Sequence, residues 1–394
     1  YFSRSHIFFK ILKVISLMQS FSRIYLDHNA SSPLRPEAKA AMLAALGDPL
    51  NPSSVHSEGR RGKSLLEEAR EIISRGLGAK PKNVIFTASA TEAANLALTP
   101  TLMRGQDKRP IDRFLIAGGE HPAIFQGHRF SPQAIEILPL EKNGQLSLDA
   151  LQAVLTRCSG QKIALALQAV NNETGVIQPI SEVIRIAGEI PVHTDAVQSL
   201  GKVKLDFEGL TAMSLSAHKL GGPIGIGALV LKRGVDIPAL LHGGGQEREI
   251  RSGTLNAPMA VAFASVLENY PSEFIDNLKT KLVNGISQLI PDAKINTSNN
   301  SLPGIVNITF PGTKGETLLL LLDQEGIACS TGAACSAGVH RPSHVLLAMG
   351  RTENEAMASI RFSIGGDFTG IVYNNAALIS ANYNHYVFVK NTSG

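Results

Sequence analysis

The sequence predicts an α/β protein built around a mostly parallel β-sheet. Apolar runs of strand length recur along the chain, and they are continuous rather than alternating, which is typical of strands covered by helices on both faces. Segments with helical periodicity separate these runs. The predicted strands are NVIFTA (83–88), RFLIAG (113–118), KIALALQAV (162–170), PVHTDA (191–196), AMSLSA (212–217) and IGALVLK (226–232).

The order of these elements predicts two domains. A helical pattern at 62–78 precedes the first strand, and strands and helices alternate as far as about Ser272. The later elements are a long amphipathic helix (274–290), a strand (305–310), a helix (316–326) and a strand (359–365). This change of rhythm indicates a smaller α+β unit. We predict a large domain at 36–271 and a small domain formed by 22–35 and 272–367.

The two ends of the chain differ from the rest. Residues 1–21 contain Arg4, Lys10 and Lys13 but no acid, which fits a targeting presequence, non-native upstream sequence or a plain extension. Residues 368–394 form an atypical tail with a single charged side chain, Lys390, and without a helical apolar stripe.

The composition of the chain argues against several classes of function. Among 394 residues, Lys and Arg exceed Asp and Glu by only four, so nucleic-acid binding is not expected. No apolar run reaches the roughly 18 residues of a membrane span, so no membrane association is expected. Three cysteines are too few for a disulfide scaffold and indicate a reducing compartment. We expect the cytoplasm, or an organelle if residues 1–21 are a presequence.

Polar residues at the ends of parallel strands are the first candidates for a site, because ligands collect at the carboxyl edge of such a sheet. Lys219 follows an apolar strand and precedes a glycine-rich turn, where its amine can be partly desolvated and bind a carbonyl carbon. The alternative is an ordinary solvated lysine. Asp195 ends a neighbouring strand and suits a pyridinium nitrogen, or it caps a helix.

Two glycine-rich or small-residue segments bear on phosphate binding. ASATEAAN (88–95) places Thr91 just before a helical pattern, so it predicts either a phosphate at a helix N-terminus or an ordinary cap. GGPIGIG (221–227) leads into a strand rather than a helix, so it does not meet the context of a nucleotide-binding loop.

The three cysteines have different predicted roles. Cys335 lies in CSTGAACSAG (329–338), a segment of small residues that reads as a loop with an accessible thiol. Cys158 ends a helical stretch and is expected to be structural. Cys329 can pack or form a regulatory disulfide. The pattern C-x5-C-x4-H-x3-H that ends at His344 fits no common zinc module, so no permanent metal site is expected.

The chain resembles the cysteine desulfurases, which are pyridoxal-phosphate enzymes of the class V aminotransferase group. The segments that carry the resemblance are YLDHNASSPLRPE (25–37), NPSSVHSEGR (51–60), FTASATEAANLAL (86–98), GGEHPA (118–123), VNNETGVIQPI (170–180), HTDAVQSLGK (193–202), SLSAHKLGGPIGIGAL (214–229), GGGQEREIRSGTLN (243–256), STGAACSAG (330–338) and SIRFSIG (359–365). The resemblance implies the aspartate aminotransferase-like fold type I, with a seven-stranded sheet in the large domain.

The resemblance also implies site residues. Lys219 would bind the cofactor's aldehyde and Asp195 its pyridine nitrogen, while Arg361 would clamp the substrate carboxylate and Cys335 would accept sulfur. The remaining implied residues are His121 as a stacking and proton-transfer group, Asn172 and Gln198 at the phenolic oxygen, Asn172 also at the substrate, and Ala90, Thr91, Ser216, His218 and Thr254 at the phosphate. Thr254 would reach across from a second subunit of a homodimer.

The implied reaction converts L-cysteine to L-alanine and a persulfide on Cys335. That sulfur would go to an acceptor such as an iron–sulfur scaffold, or to tRNA or another cofactor, and Cys335 could also serve as a transient iron–sulfur ligand. The alternatives are a selenocysteine lyase, an aminotransferase or a non-catalytic scaffold. Ser89 and Glu249 stand where the family often has Gly, and the tail after Asp367 lacks the family's amphipathic C-terminal helix.

Overall fold

The computed structural model describes residues 23–105, 107–267, 272–332 and 341–365. Its strands are β1 (Ile24–Tyr25), β2 (Val84–Thr87), β3 (Met103–Arg104), β4 (Arg113–Ala117), β5 (Ile135–Leu138), β6 (Ile163–Ala166), β7 (Val192–Asp195), β8 (Ala212–Ser216), β9 (Gly227–Leu231), β10 (Val235–Asp236), β11 (Lys294–Ile295), β12 (Ile305–Thr309), β13 (Ile327–Ala328) and β14 (Ser359–Ser363). Residues 1–22, 333–340 and 366–394 lie outside the description, as do Gln106 and residues 268–271.

The helices alternate with these strands along most of the chain. They are α1 (Pro36–Ala45), α2 (Ser57–Arg75), α3 (Ala90–Ala97), α4 (Pro122–Phe125), α5 (Leu148–Arg157), α6 (Ile180–Ala187), α7 (Ala257–Ala264), α8 (Ser272–Leu289), α9 (Gly315–Gln324), α10 (His344–Ala348) and α11 (Glu353–Met357). Within the described ranges, none of the helices combines the length and the apolar character that crossing a membrane requires.

A seven-stranded sheet forms the centre of the molecule. Its strand order is β2-β9-β8-β7-β6-β4-β5. The strands from β8 to β5 in this order are parallel to one another, whereas β9 is antiparallel to both β2 and β8. The carboxyl ends of β4, β6, β7 and β8 therefore share one edge, and this confirms the predicted mostly parallel α/β sheet.

Both faces of this sheet are covered by helices. Successive residues of a strand point to opposite faces. Leu115 of β4 belongs to a core that includes residues of α2, α5, α6 and α7, whereas its neighbours Phe114 and Ile116 belong to a second core with α3. This double coverage explains why the strands carry continuous apolar runs.

The six strands predicted before residue 272 are all present in the seven-stranded sheet, but the prediction omitted the seventh strand of this sheet, β5. This strand lies at the edge of the sheet, where Glu136 is partly exposed and Ile137 is 50% exposed. Three of its four side chains are therefore at least partly exposed, and no continuous apolar run marks it. The predicted helix at 62–78 is also displaced, since α2 begins at Ser57, where the His56 side chain accepts a hydrogen bond from the Gly59 N–H.

A second, smaller sheet has the order β11-β12-β14 and is antiparallel. Its core contains Ile275, Leu278, Leu282 and Ile286, which recur at helical spacing along α8, and residues of α9. Ile24 of β1 joins this core, and β1 pairs in parallel with β13. The start of the described chain thus pairs with residues just over 300 positions later. The domain boundaries remain a prediction.

Candidate active site

Four strand ends meet at the carboxyl edge of the large sheet. β7 ends in Asp195, and β8 leads through Ser216 to a short 3-10 turn formed by His218–Leu220. A segment from the smaller core, with Asn29 at its centre, lies against this edge and contacts Lys219, as the bonds described next show.

Lys219 is held with its amine at this edge. Its Nζ donates hydrogen bonds to the carbonyl oxygens of Asn29 and of Ala30, the latter at 2.9 Å. Burial, followed by the nearby Arg361, lowers the pKa of Lys219 to about 8, although the carboxylates of Asp27 and Asp195 oppose this shift. A larger fraction of this amine than of an ordinary lysine is therefore uncharged near neutral pH and able to act as a nucleophile or base.

Asp195 is a half-buried carboxyl at the end of β7. Its Oδ1 accepts a hydrogen bond from the Val197 N–H (2.9 Å). Burial raises the pKa of Asp195 to about 6, while the Val197 N–H and the charge of Lys219 oppose the increase. An acid in this state gains from a cationic partner, so a protonated ring nitrogen would be held strongly here.

Asn29 forms hydrogen bonds with several residues of the site, and it was not among the predicted site residues. Its side-chain amide donates to the Asn172 carbonyl (3.0 Å), and its own carbonyl accepts from Lys219 and from Gln198 Nε2 (3.3 Å). Its N–H donates to Ser363 Oγ (2.9 Å). The available signal was the polar run DHNA directly after the apolar residues of β1.

Arg361 lies on β14 and is 5% exposed. Its Nη2 forms an ion pair with Asp27 Oδ1 at 2.7 Å, and its Nη1 donates to the Asn172 carbonyl at 3.0 Å. Its buried Nε finds no hydrogen-bond partner within the described ranges. A guanidinium fixed in this way can receive a carboxylate. Asp27, which orients it, was also absent from the prediction.

His121 precedes α4 at the end of β4. Its Nδ1 accepts from the Ala123 N–H (3.1 Å). Burial, followed by the positive charge of Lys219 and by His344, lowers the pKa of His121 to about 4. The imidazole is therefore neutral at physiological pH, and the hydrogen bond accepted by Nδ1 places the ring proton on Nε2.

The start of α3 supplies backbone N–H groups to the same region. Ser89 is the N-cap, and its hydroxyl accepts from the Glu92 N–H (3.2 Å), while Ala90 and Thr91 form the first turn. A β-carbon on Gly227 would lie 2.9 Å from the Ala90 nitrogen, so glycine is required for β9 to pass this close. Gly227 pairs with Ser216, which brings Ser216 near the helix start.

His218 and Thr254, the other residues predicted to bind the phosphate, do not belong to the start of α3. His218 Nδ1 lies 3.3 Å from Ser31 Oγ, and burial, with Lys219 and Lys202, lowers the pKa of His218 to about 4. Thr254 is exposed. It lies near Arg251, whose Nε is 2.8 Å from Glu92 Oε1 in the first turn of α3, so the segment that carries Thr254 is attached beside the helix start.

The geometry fits pyridoxal phosphate. Lys219 supplies an amine for the aldehyde, Asp195 a carboxyl for the ring nitrogen, and α3 an N-terminus for the phosphate. Gln198 is 4% exposed, and its Oε1 has no hydrogen-bond partner in the part of the chain that the structure describes. A buried acceptor of this kind suits a ligand that brings its own donor.

The described cysteines are buried, whereas the predicted sulfur acceptor lies outside the described residues. Cys335 and His340 lie outside the described residues. Cys158 follows α5 and is buried, and Cys329 is buried next to β13, where burial raises the pKa of its thiol. His344 Nε2 lies 2.8 Å from the Glu120 carbonyl. Among the residues that the structure describes, no cluster of three or more metal-ligating side chains occurs.

Comparisons of the sequence and of the fold with known proteins point to one family. The family model described as aminotransferase class-V matches residues 24–370. An IscS-like cysteine desulfurase of Mycobacterium tuberculosis is 41% identical over 359 residues, which cover 86% of this chain and 91% of the relative. A solved NifS-like protein from Rickettsia africae has a TM-score of 0.81 and 29% identity, over 92% of this chain and 99% of the other. A structure described as SspA in complex with cysteine has a TM-score of 0.74 and 29% identity, over 87% and 99% of the two chains.

The chain therefore belongs to the class V aminotransferase family, whose members use pyridoxal phosphate. The expected fold class, family, cofactor and enzyme class are thereby confirmed, and the enzyme class is that of the cysteine desulfurases. The roles of individual residues remain predictions.

Proposed function

We propose that this cysteine desulfurase acts through Lys219, Asp195, Arg361 and Cys335 in the roles that the sequence predicts. The observation that carries the proposal is the convergence of the Lys219 amine, the Asp195 carboxyl and the start of α3 at one sheet edge. Asp195 would hold the ring nitrogen, Lys219 the aldehyde carbon, and Ala90, Thr91, Ser216 and His218 the phosphate. Gln198 and Asn172 would lie beside the phenolic oxygen.

Bound pyridoxal phosphate supplies an electron sink that stabilises negative charge on the Cα atom of an amino acid. Lys219 suits removal of the Cα proton, because its pKa of about 8 leaves a sizeable fraction as free amine near neutral pH. His121 would stack on the ring and assist proton transfer, and its lowered pKa of about 4 keeps it neutral at physiological pH. Arg361, with Asn172, orients the substrate carboxylate.

Cys335 carries the sulfur step. As a thiolate it attacks the Sγ atom of the bound cysteine, so that a sulfur–sulfur bond forms and the Sγ–Cβ bond breaks. The electron pair of the broken bond remains on the substrate carbon, which takes up a proton to become alanine. Cys329 is a poor competitor for this role, because burial raises the pKa of its thiol.

The decisive experiment maps the persulfide. After addition of L-cysteine, alkylation and peptide mapping should find the extra sulfur on Cys335. The Cys335→Ala variant should keep the visible absorbance of bound pyridoxal phosphate but lose alanine formation, whereas Cys158→Ala should keep both. Normal alanine formation by Cys335→Ala would refute the role. Selenocysteine, or an amino donor with a keto acid, tests the alternative activities in the same assay.

A second experiment identifies the lysine that binds the cofactor. Borohydride reduction of the holoenzyme followed by peptide mapping should place the reduced adduct on Lys219. Lys202 is the natural competitor, because burial and the charge of Lys219 lower the pKa of Lys202 to about 7. An adduct on Lys202, or one that persists in Lys219→Ala, contradicts the assignment.

We further propose a homodimer in which Thr254 reaches the partner's phosphate site; the exposure of Thr254, which leaves it accessible to a second subunit, supports this. Thr254→Ala should weaken cofactor binding, and equilibrium sedimentation should give a dimer.

Sulfur would pass from Cys335 to an acceptor such as an iron–sulfur scaffold. We propose a cytoplasmic location, or an organellar one if residues 1–21 act as a presequence, which imaging of tagged chains with and without these residues tests.

A further inference from the structure

Glu173 is a buried acid that the proposed reaction does not use. It follows Asn171 and Asn172 beyond the end of β6 and is 2% exposed. Its backbone N–H donates to Asn171 Oδ1 at 2.9 Å, which fixes the turn after the strand. A carboxyl buried this completely is costly unless its oxygens are well bonded, so its contacts show what it does.

The first contact is with Ser343. The Ser343 hydroxyl donates a hydrogen bond to Glu173 Oε2, and Ser343 is 1% exposed. The same hydroxyl accepts from the Leu346 N–H at 3.1 Å, so Ser343 is the N-cap of α10. Glu173 therefore attaches the beginning of α10 to the edge of the large sheet.

Glu173 also lies beside Gly332, which precedes Ser343 in the chain. A β-carbon on Gly332 would lie only 3.3 Å from Glu173 Oε2, and Gly332 has a positive φ of 83°. Two residues earlier, Ser330 exchanges two backbone hydrogen bonds with Arg361, at 3.2 and 2.6 Å. One carboxyl thus binds the chain after the segment 333–340, which contains Cys335, and lies beside the chain before it.

His344 extends this attachment to a second strand end. Its Nε2 lies 2.8 Å from the carbonyl oxygen of Glu120, the residue before His121, and its ring meets Phe125 edge-on at 5.4 Å between centroids. The chain after the Cys335 segment is therefore fixed to the ends of β6 and β4, and the chain before it is fixed to Arg361.

We propose that Glu173 and Ser343 are positioning residues for the sulfur-transfer step. Their hydrogen bond holds the ends of the segment that contains Cys335, and so sets where that thiol meets the substrate that Arg361 orients. Glu173 acts as a hydrogen-bond acceptor and touches neither substrate nor cofactor in this role. The inference rests on the proposed role of Cys335.

The expected effect is confined to one step. A displacement of about 1 Å can lower the rate of a reaction between positioned groups by about 100-fold. Glu173→Ala and Ser343→Ala should therefore slow single-turnover persulfide formation on Cys335 by about 10- to 100-fold. The absorbance of bound pyridoxal phosphate, and the cysteine concentration that half-saturates its change on substrate addition, should stay within about threefold of the wild type.

Two further variants make the test specific. Glu173→Gln keeps an oxygen that can accept from Ser343, so it should retain at least about a third of the wild-type rate. Thr352→Ala is the matched control for Ser343→Ala, because the Thr352 hydroxyl caps α11 through the Glu355 N–H (3.2 Å) without contacting Glu173. It should leave the persulfide rate unchanged.

The outcomes are distinguishable. Equal persulfide rates in Glu173→Ala and the wild type overturn the inference, as does a parallel loss of cysteine affinity and rate, or a Glu173→Gln variant as slow as Glu173→Ala. Absence of any persulfide on Cys335 in the wild type overturns the proposed function instead.

Discussion

Asp195 should destabilise the cofactor-free protein, and Asp195→Asn should therefore stabilise it at alkaline pH. The folded state raises the pKa of this acid from 3.8 to about 6, chiefly through burial. A raised pKa means that the folded state binds the proton more tightly than the unfolded state, so stability falls as pH rises from about 4 to 6. Asparagine resembles the protonated acid and keeps an oxygen for the Val197 N–H.

The size of the effect follows from the same shift. About two pKa units at 1.36 kcal/mol each correspond to about 3 kcal/mol when the acid is fully ionised. Because Asp195 is only half-buried, water screens part of this energy, and we expect the variant to gain about 1–2 kcal/mol at pH 8. At pH 5 the gain should be about half as large, since folded wild-type protein is then mostly protonated at this position.

Urea unfolding of the cofactor-free proteins, followed by circular dichroism because the chain has no Trp, measures this difference. Asp206→Asn is the matched control: Asp206 also accepts from the N–H two residues ahead (2.9 Å), but it is exposed. It should change stability by less than about 0.5 kcal/mol. With pyridoxal phosphate the order should reverse, because Asp195→Asn loses the charged partner of the ring nitrogen. A variant no more stable than the wild type at pH 8 refutes the reasoning.

Three other substitutions test the backbone and charges around the site. Glu249 has a left-handed φ of 63°, so Glu249→Gly should raise the free energy of unfolding by about 1 kcal/mol and Glu249→Ala should not, as urea midpoints will show. Arg70→Met leaves Glu247 buried without its cation and should cost about 3–5 kcal/mol, against less than about 1 for Arg61→Met at an exposed ion pair. Gly227→Ala should weaken pyridoxal phosphate binding at least tenfold in absorbance titrations, since its β-carbon would lie 2.9 Å from the first nitrogen of α3.

The sequence predicted the structure best where a local pattern of residue types has one physical cause. Continuous apolar runs arise from burial on both faces, so the largely buried strands of the large sheet, including β2 at one edge, were predictable, whereas the partly exposed β5 at the other edge was not. Lys219 and Asp195 were singled out because ligands collect at the carboxyl ends of parallel strands, and the resemblance then gave them their predicted roles. Their altered pKa values depend on burial that only the folded chain displays.

The residues that escaped prediction act through their backbone or through distant partners. Asn29 receives Lys219 and Gln198 on its main-chain carbonyl, which every residue possesses, so its identity carries no signal for that contact. Asp27 and Glu173 bind partners 334 and 170 positions away. No local pattern records such pairs, and a sequence without its relatives cannot reveal them.

These distances also determine when the site can exist during folding. The Asn29 to Lys219 contact spans 190 positions, and the Arg361 to Asp27 ion pair joins β14 to the chain after β1. Asn29 follows β1 and Arg361 lies on β14, both strands of the smaller core, whereas Asp195 ends β7 and Lys219 follows β8 in the large sheet. Because closing such long loops precedes any gain from the contacts, the site cannot form before both cores do. Cofactor binding therefore reports the docking of the two cores rather than the folding of either one.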